Sequence, residues 1–315
     1  MDRDAALLEL GRALAQAGYR HVTVTPATHQ RVLRRDPRPA DSLADVFGWS
    51  RQFGEGVLPP RMMELMQGAG AARADGDGWR SSVRVSSLGG QLYFHSAFPT
   101  SAADAVFFGP DTYRFLRALE AQPDREVVRA VDIGCGSGAA AVAIALRWPK
   151  AEVLAVDIND EALRLAAVNA ALAGAANVRT LHSDLLSGVD GCFDLIVANP
   201  PYMLDPCERA YRHGGGELGA GLSLAIVEAA LARLAPGGQL LLYTGAAIVA
   251  GKDPFLARVA PMLEEAGAAW RYEEIDPDVF GEELDEAEYR RVDRIAAVWL
   301  QVDSTVRASK GESGA

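Results

Sequence analysis

The sequence predicts an α/β protein: a doubly wound, mainly parallel seven-stranded sheet, with a smaller N-terminal domain that is helical and winged-helix-like. Three observations predict this. From residue 127 onward, apolar stretches of strand length alternate with helix-patterned segments, the order that gives a parallel sheet crossed by helices. A glycine run, Asp132-Ile133-Gly134-Cys135-Gly136-Ser137-Gly138, joins the first of those strands to a helix, as a nucleotide-binding turn does. Upstream, several helical stretches precede an alternating pair of segments around Gly89-Gly90, the mark of a hairpin.

Asp4 to Gln16 carries Ala6, Leu7, Leu10 and Leu14 at helical spacing, and Gly18 stops it. Pro26 to Leu33 and Ser42 to Phe47 are also helix-like, and Pro59 to Met66 has prolines at its start, where helices tolerate them. Ser82 to Ser86 and Gln91 to Ser96 then alternate like strands. Residues 1–98 are expected to form one domain, serving as a lid, a dimer contact or a substrate reader. Residues 99–303 form the second, and 304–315, polar and rich in Gly and Ser, a disordered tail. Phe107 to Thr112 leads into a helix through Leu119. Strands are expected at 127–133, 152–157, 178–182, 193–199, 239–244, 270–275 and 296–300, with 160–173 and 223–234 the best-patterned helices between them. Pro236-Gly237-Gly238 turns into the fifth strand. No helix separates the last two strands, so one of them is expected to run antiparallel.

A chain of 315 residues with 49% hydrophobic content suffices for one sizeable core and a smaller one. No apolar run approaches the roughly 20 residues of a membrane helix, and Met1-Asp2-Arg3-Asp4 has no secretory n-region. A cytoplasmic protein with no membrane partner is expected. Cys135, Cys192 and Cys207 show neither CxxC spacing nor disulfide density, so reduced thiols are expected. Histidines and carboxylates do not cluster at ligand spacing, which argues against a metal site. The net charge of -11 is uneven: residues 1–110 hold 12 Lys/Arg and 11 Asp/Glu, the remainder 19 and 31. An acidic second half repels a phosphate backbone, which disfavours nucleic acid although Arg31, Arg34, Arg35 and Arg38 make a local basic cluster. The helix-and-wing domain therefore fits a lid or a homodimer contact better than a DNA reader.

Asp157 ends the second strand, where a carboxylate can accept hydrogen bonds from both hydroxyls of a ribose. Ser183-Asp184-Leu185 follows the third strand and offers an acceptor for an exocyclic amine beside an apolar wall. Asn199-Pro200-Pro201-Tyr202, about sixty-five residues after the glycine run, ends the strand Phe193 to Ala198 and faces the same carboxyl edge of a parallel sheet. A planar amide or aryl amine is a poor nucleophile until strong acceptors hold its hydrogens. The Asn199 side-chain carbonyl and the Pro200 backbone carbonyl can take both. Proline has no N–H to compete and keeps the strand end extended, and Tyr202 can stack on a planar acceptor.

The run Val131 to Gly138, with Asp157, Asp184 and Asn199-Pro200-Pro201-Tyr202, resembles the class I S-adenosylmethionine-dependent methyltransferases over roughly residues 104–300. Within them the resemblance is to the N-methyltransferases bearing this tetrapeptide, and above all to the release factor glutamine methyltransferases. The resemblance implies a Rossmann-like methyltransferase fold and S-adenosylmethionine as cofactor. It implies cofactor contacts from Asp132, Gly134, Gly136, Gly138, Asp157, Ile158, Asp184, Leu185 and Asn199, and catalysis by Asn199, Pro200 and Tyr202. Phe108, Thr112, Pro201, Tyr211 and Tyr243 are candidates for the acceptor pocket.

That glutamine-modifying family also has a proline-threonine segment resembling Gly109-Pro110-Asp111-Thr112 and a glycine loop resembling Gly214-Gly215-Gly216-Glu217-Leu218-Gly219. It usually carries an arginine and a glutamate where this chain has Asp111 and Tyr113, and its N-terminal domain lacks this wing. The expected reaction is therefore methylation of a nitrogen on a small-molecule or amide acceptor different from the family's. Three alternatives stand beside it: a protein-glutamine or nucleobase N-methyltransferase, an enzyme using or cyclising the aminocarboxypropyl arm of the cofactor, and a cofactor-sensing winged-helix regulator.

Overall fold

The computed structural model describes residues 2–205, 209 and 211–304; Cys207 and positions 305–315 of the expected tail lie outside them. The chain divides into two compact units. One holds the residues up to Gln122 together with Cys135–Pro149 and Asn159–Thr180; the other holds Pro123–Gly134, Lys150–Ile158 and the chain from Leu181 on.

In the first unit, α1 (Arg3–Gln16) buries Ala6, Leu7, Leu10 and Leu14, the residues at helical spacing. Thr25 accepts from Thr28 N to cap α2 (Pro26–Arg35), and Ser42 accepts from Asp45 N to cap α3 (Leu43–Phe47). Proline at the first turn opens α4 (Pro60–Gly68). The chain then forms two hairpins, β1 (Ala72–Asp75) with β2 (Gly78–Ser81), and β3 (Val83–Leu88) with β4 (Gln91–Ser96). The second hairpin is the one the Gly89-Gly90 turn predicts. The first gives almost no alternation signal because its strands are only four residues long and β1 is largely exposed; Phe53 extends it by bridging Trp79. Helices α5 (Pro110–Glu120), α6 (Ala139–Arg147) and α7 (Asp160–Ala173) complete the unit. Its core joins the α1 leucines, Phe47, Met66, Val85 and Phe94 to Leu165 and Val168 of α7.

The large sheet contains β5 (Arg129–Ile133), β6 (Glu152–Asp157), β7 (Val178–His182), β8 (Phe193–Ala198), β9 (Leu234–Ile248), β10 (Ala269–Asp276) and β11 (Arg294–Asp303) in the order β10-β11-β9-β8-β5-β6-β7. β5 pairs in parallel with β6 on one side and β8 on the other, and β8 in parallel with β9. The expected antiparallel strand is β11, which opposes both β9 and β10. β9 starts earlier than predicted, carrying Pro236-Gly237-Gly238 inside it, with a register shift opposite Phe193. Val131, Ile133, Val156, Ile196, Leu240, Leu242, Val298 and Leu300 form the sheet's share of a core closed by α8 (Gly221–Leu231) and α9 (Pro254–Glu265) through Ile226, Val227, Phe255 and Val259. Strand order reverses at β5: later strands run first toward β7 and then, from β8, the opposite way. Ligands in sheets wound this way bind outside the carboxyl ends at such a switch point.

Candidate active site

The register at the switch point aligns three expected residues. Ile133 lies opposite Ala198 on β8 and opposite Val156 on β6. One residue further along each strand come Gly134, Asn199 and Asp157, side by side at the carboxyl edge. Ser183 N donates to the Asp157 carbonyl at 3.0 Å, bringing the turn after β7 to the same edge. The Ser183 hydroxyl then shapes that turn, accepting from Gly188 N and donating to the Leu185 carbonyl, each at 2.9 Å. Leu185 takes a left-handed φ of 49°, Asp184 is exposed, and Ile158 is an unusually exposed aliphatic at 54%.

Asn199 is half-buried and Pro200 buried. The segment after them is gripped from three sides. Gly214 N donates to the Met203 carbonyl at 2.8 Å and Met203 N to the Arg212 carbonyl at 3.2 Å. A Cβ at Gly214 would overlap the Gly219 carbonyl and lie 2.8 Å from both Pro201 O and Tyr202 Cα; one at Gly219, whose φ is +82°, would lie 2.7 Å from the Tyr202 carbonyl carbon. The glycine loop is thus a backbone clamp on the tetrapeptide, and glycine is the residue that permits so close an approach. Leu204 N donates to the Tyr289 hydroxyl at 2.7 Å. Below the tetrapeptide, the Tyr202 ring rests on Gly245 of β9 and meets Phe280 edge-on at 6.1 Å.

The methyltransferase small domain model matches residues 110–253. The chain is 38% identical over 215 residues to the release factor glutamine methyltransferase of Deinococcus radiodurans, covering 64% of this chain and 72% of that protein. The chain belongs to the release factor glutamine methyltransferase family. Similarity to the Cereibacter sphaeroides release factor glutamine methyltransferase is 34% identity over 226 residues, 67% of this chain and 75% of that one. The ribosomal protein uL3 glutamine methyltransferase of Xanthomonas campestris is 41% identical over 132 residues, 38% of this chain and 43% of its own length. In structure, the M. jannaschii tRNA m1G37 methyltransferase superposes with a TM-score of 0.50 at 14% identity, over 72% of this chain and 58% of that one. At that identity the likeness speaks for the fold alone.

In this S-adenosylmethionine-dependent methyltransferase the glycine turn could hold the cofactor. Gly134 and Gly136 have φ of +66° and +52°, and a Cβ on either would meet no protein atom within 4 Å, so the turn leaves its backbone open for a ligand. Gly138 differs: a Cβ there would sit 2.9 Å from the Ala166 Cβ of α7, so helix packing demands its glycine. Asp132 is buried at the end of β5.

Of the acceptor-pocket candidates, Phe108 and Thr112 lie in the first unit, where packing and capping account for them. The Phe108 ring stacks on His95 at 5.0 Å, and the Thr112 hydroxyl accepts from Gly109 N at 3.3 Å to cap α5. Tyr243 is fully buried within β9, and Pro201 is half-buried beside Tyr202. The Tyr211 hydroxyl accepts from Arg209 at 3.1 Å, while Arg209 grips Asp205 through Nε and Nη2. That guanidinium holds the Asp205 carboxyl down at about 2. Tyr243-Thr244-Gly245 stands out in the sequence as a pocket segment, but sequence reasoning missed that Gly245 carries the Tyr202 ring, and it missed Phe280 and Tyr289, distant in order, and Asn169, whose one signal is an amide in the middle of an apolar helix. The Asn169 side chain accepts from Phe94 N at 2.8 Å and donates to Phe94 O at 3.0 Å and Ser137 O at 2.9 Å, tying the glycine turn's Ser137 to α7 and β4.

Proposed function

We propose that this methyltransferase transfers a methyl group to the side-chain amide nitrogen of a glutamine in a protein. The observation that carries the reading is the 38% identity along 72% of the Deinococcus release factor glutamine methyltransferase. The Asn-Pro-Pro-Tyr segment at the switch point supports it. Asp111 and Tyr113 suggested a different acceptor, but the relatives favour the protein-glutamine alternative.

A glutamine amide has two N–H groups and a delocalised lone pair. The Asn199 side-chain oxygen and the Pro200 carbonyl accept one hydrogen each, which fixes the amide plane and raises electron density on nitrogen as the new bond forms. S-adenosylmethionine supplies a methyl group activated by a sulfonium. Gly134, Asp157 and the Asp184-Leu185 turn would hold its nucleoside portion, so much of the rate would come from orientation and from acceptors already in place. A strong base is not required, because the nitrogen turns acidic only once it has begun to bond. Tyr202, expected to stack on the acceptor, is 6% exposed; we assign it to anchoring the segment on Gly245 and Phe280.

The test is incubation of the purified enzyme with labelled cofactor and, separately, a release factor, ribosomal protein uL3 and a small-molecule extract. Label on a glutamine-containing peptide, with S-adenosylhomocysteine as by-product, is the expected result. Label confined to small molecules would overturn the protein acceptor, and methylthioadenosine as the by-product would overturn methyl transfer itself.

A further inference from the structure

The β3–β4 hairpin in the first unit is buried on both faces. Side chains alternate across a strand, so Val83, Val85, Leu92 and Phe94 join the apolar core. The other face carries Arg84 opposite His95 and Ser86 opposite Tyr93, and all four are buried, Arg84 to 4% exposure. A polar row of this kind is not what packing a hairpin calls for. Most of it is satisfied internally: Ser86 Oγ lies 2.8 Å from His95 Nε2 and 2.5 Å from Thr23 Oγ1, and the Tyr113 hydroxyl accepts from Thr23 N at 3.0 Å.

His95 Nδ1 has no partner, and Arg84 is the charged exception. Its Nε donates to Ser96 O at 3.0 Å and its Nη2 reaches Thr100 Oγ1 at 3.5 Å, while Nη1 donates to nothing and no carboxylate among the described residues pairs with it. A guanidinium keeps its proton, so burial calls for a counter-charge. The other deeply buried arginine, Arg51, follows that rule with Asp36 and Asp45. Around Arg84 the ionisable neighbours are phenols and imidazoles. Burial, with Arg84 second, keeps His21, His29 and His95 uncharged, and burial pulls Arg84 itself down to about 10. His29 directs Nε2 at the Trp49 carbonyl at 3.0 Å, so that nitrogen carries the proton and the buried Nδ1, which has no partner, is a bare acceptor.

We propose that Arg84 heads a carboxylate-binding site, taking a small organic acid or the carboxylate of a peptide on the unused edge of its guanidinium. The neutral imidazoles beside it add no competing counter-charge, and the Phe108 and Tyr113 rings, 5.5 Å apart and edge to face, give the neighbourhood an aromatic wall. The site stands whatever the methyl acceptor proves to be.

The full-length protein is titrated calorimetrically with acid and amide pairs: benzoate against benzamide, and a short peptide with a free C-terminus against its amidated form, with inorganic phosphate alongside. Binding of an acid at least about tenfold tighter than its amide is expected, the scale of a charge-assisted hydrogen bond. Benzoate preference points to a free small acid, and peptide preference to a protein terminus. Arg84→Met should abolish the acid preference, and Arg84→Lys, which keeps the charge but not the fork, should weaken it. Equal binding of acid and amide, binding of phosphate alone, or an acid preference that survives both substitutions would each overturn the site.

Discussion

The Tyr202 ring lies directly on Gly245: a Cβ at residue 245 would overlap ring carbons Cδ2 and Cε2 and lie 2.8 Å from Cγ. Tyr202 is three residues past Asn199, so whatever displaces the ring moves the acceptor-holding carbonyls. Gly245→Ala is expected to lower kcat by roughly tenfold or more, since displacements of about 1 Å cost rates of that order and beyond. Cofactor affinity should stay within about twofold and stability fall by about 1–3 kcal/mol from overpacking. Kinetics with calorimetry on the same preparation separates these. Tyr202→Phe should keep near-normal kcat, because anchoring needs the ring and not the hydroxyl.

Asn199→Ala removes one of two acceptors for the amide hydrogens. Turnover should vanish while cofactor affinity holds within a few-fold, as differential stabilisation of the reacting state requires. An equal loss of both in a binding titration would contradict its assignment.

Asp157→Ala has the opposite signature. Cofactor binding should weaken by roughly 1.5–3 kcal/mol, the scale of a charged hydrogen bond. Unchanged affinity would remove Asp157 from the ribose.

Asn169→Ala strips three hydrogen bonds from buried backbone at Phe94 and Ser137. Stability should fall by about 1–3 kcal/mol for the groups left unpaired, measured as a lower denaturant midpoint at unchanged slope.

Asp205 gives a pH signature. Arg209 depresses its carboxyl from 3.8 to about 2, so the unfolded chain takes up the proton first as pH falls. The stabilisation is complete above pH 3.8 and lost as pH falls through about 2. Asp205→Asn should therefore lower stability at neutral pH and match the wild type only below about pH 2. A constant difference across an acid titration would show that charge is not the cause.

Much of the fold was legible because the sheet is simple in sequence terms. β6 and β7 begin and end at the predicted residues, and the lack of a helix between the last two strands indicated that one of them runs antiparallel, which is β11. The β1–β2 hairpin was not legible, since two four-residue strands around a Gly-Asp turn carry no periodic signal. Within the site, Gly134, Asp157 and Asn199 announced themselves because each ends a strand and each has a chemistry that its position explains.

Residue order alone determined the α/β class, the glycine turn and the tetrapeptide, since these depend on local periodicity and on groups fixed by the chain itself. Only tertiary structure decided that Gly245 and Gly219 support Tyr202, that Asn169 fastens the glycine turn, and that Arg84 is buried without an acid. Those relations join residues distant in the sequence, where neither spacing nor composition signals contact. Shape and the solvation of charge settle them once the chain has folded.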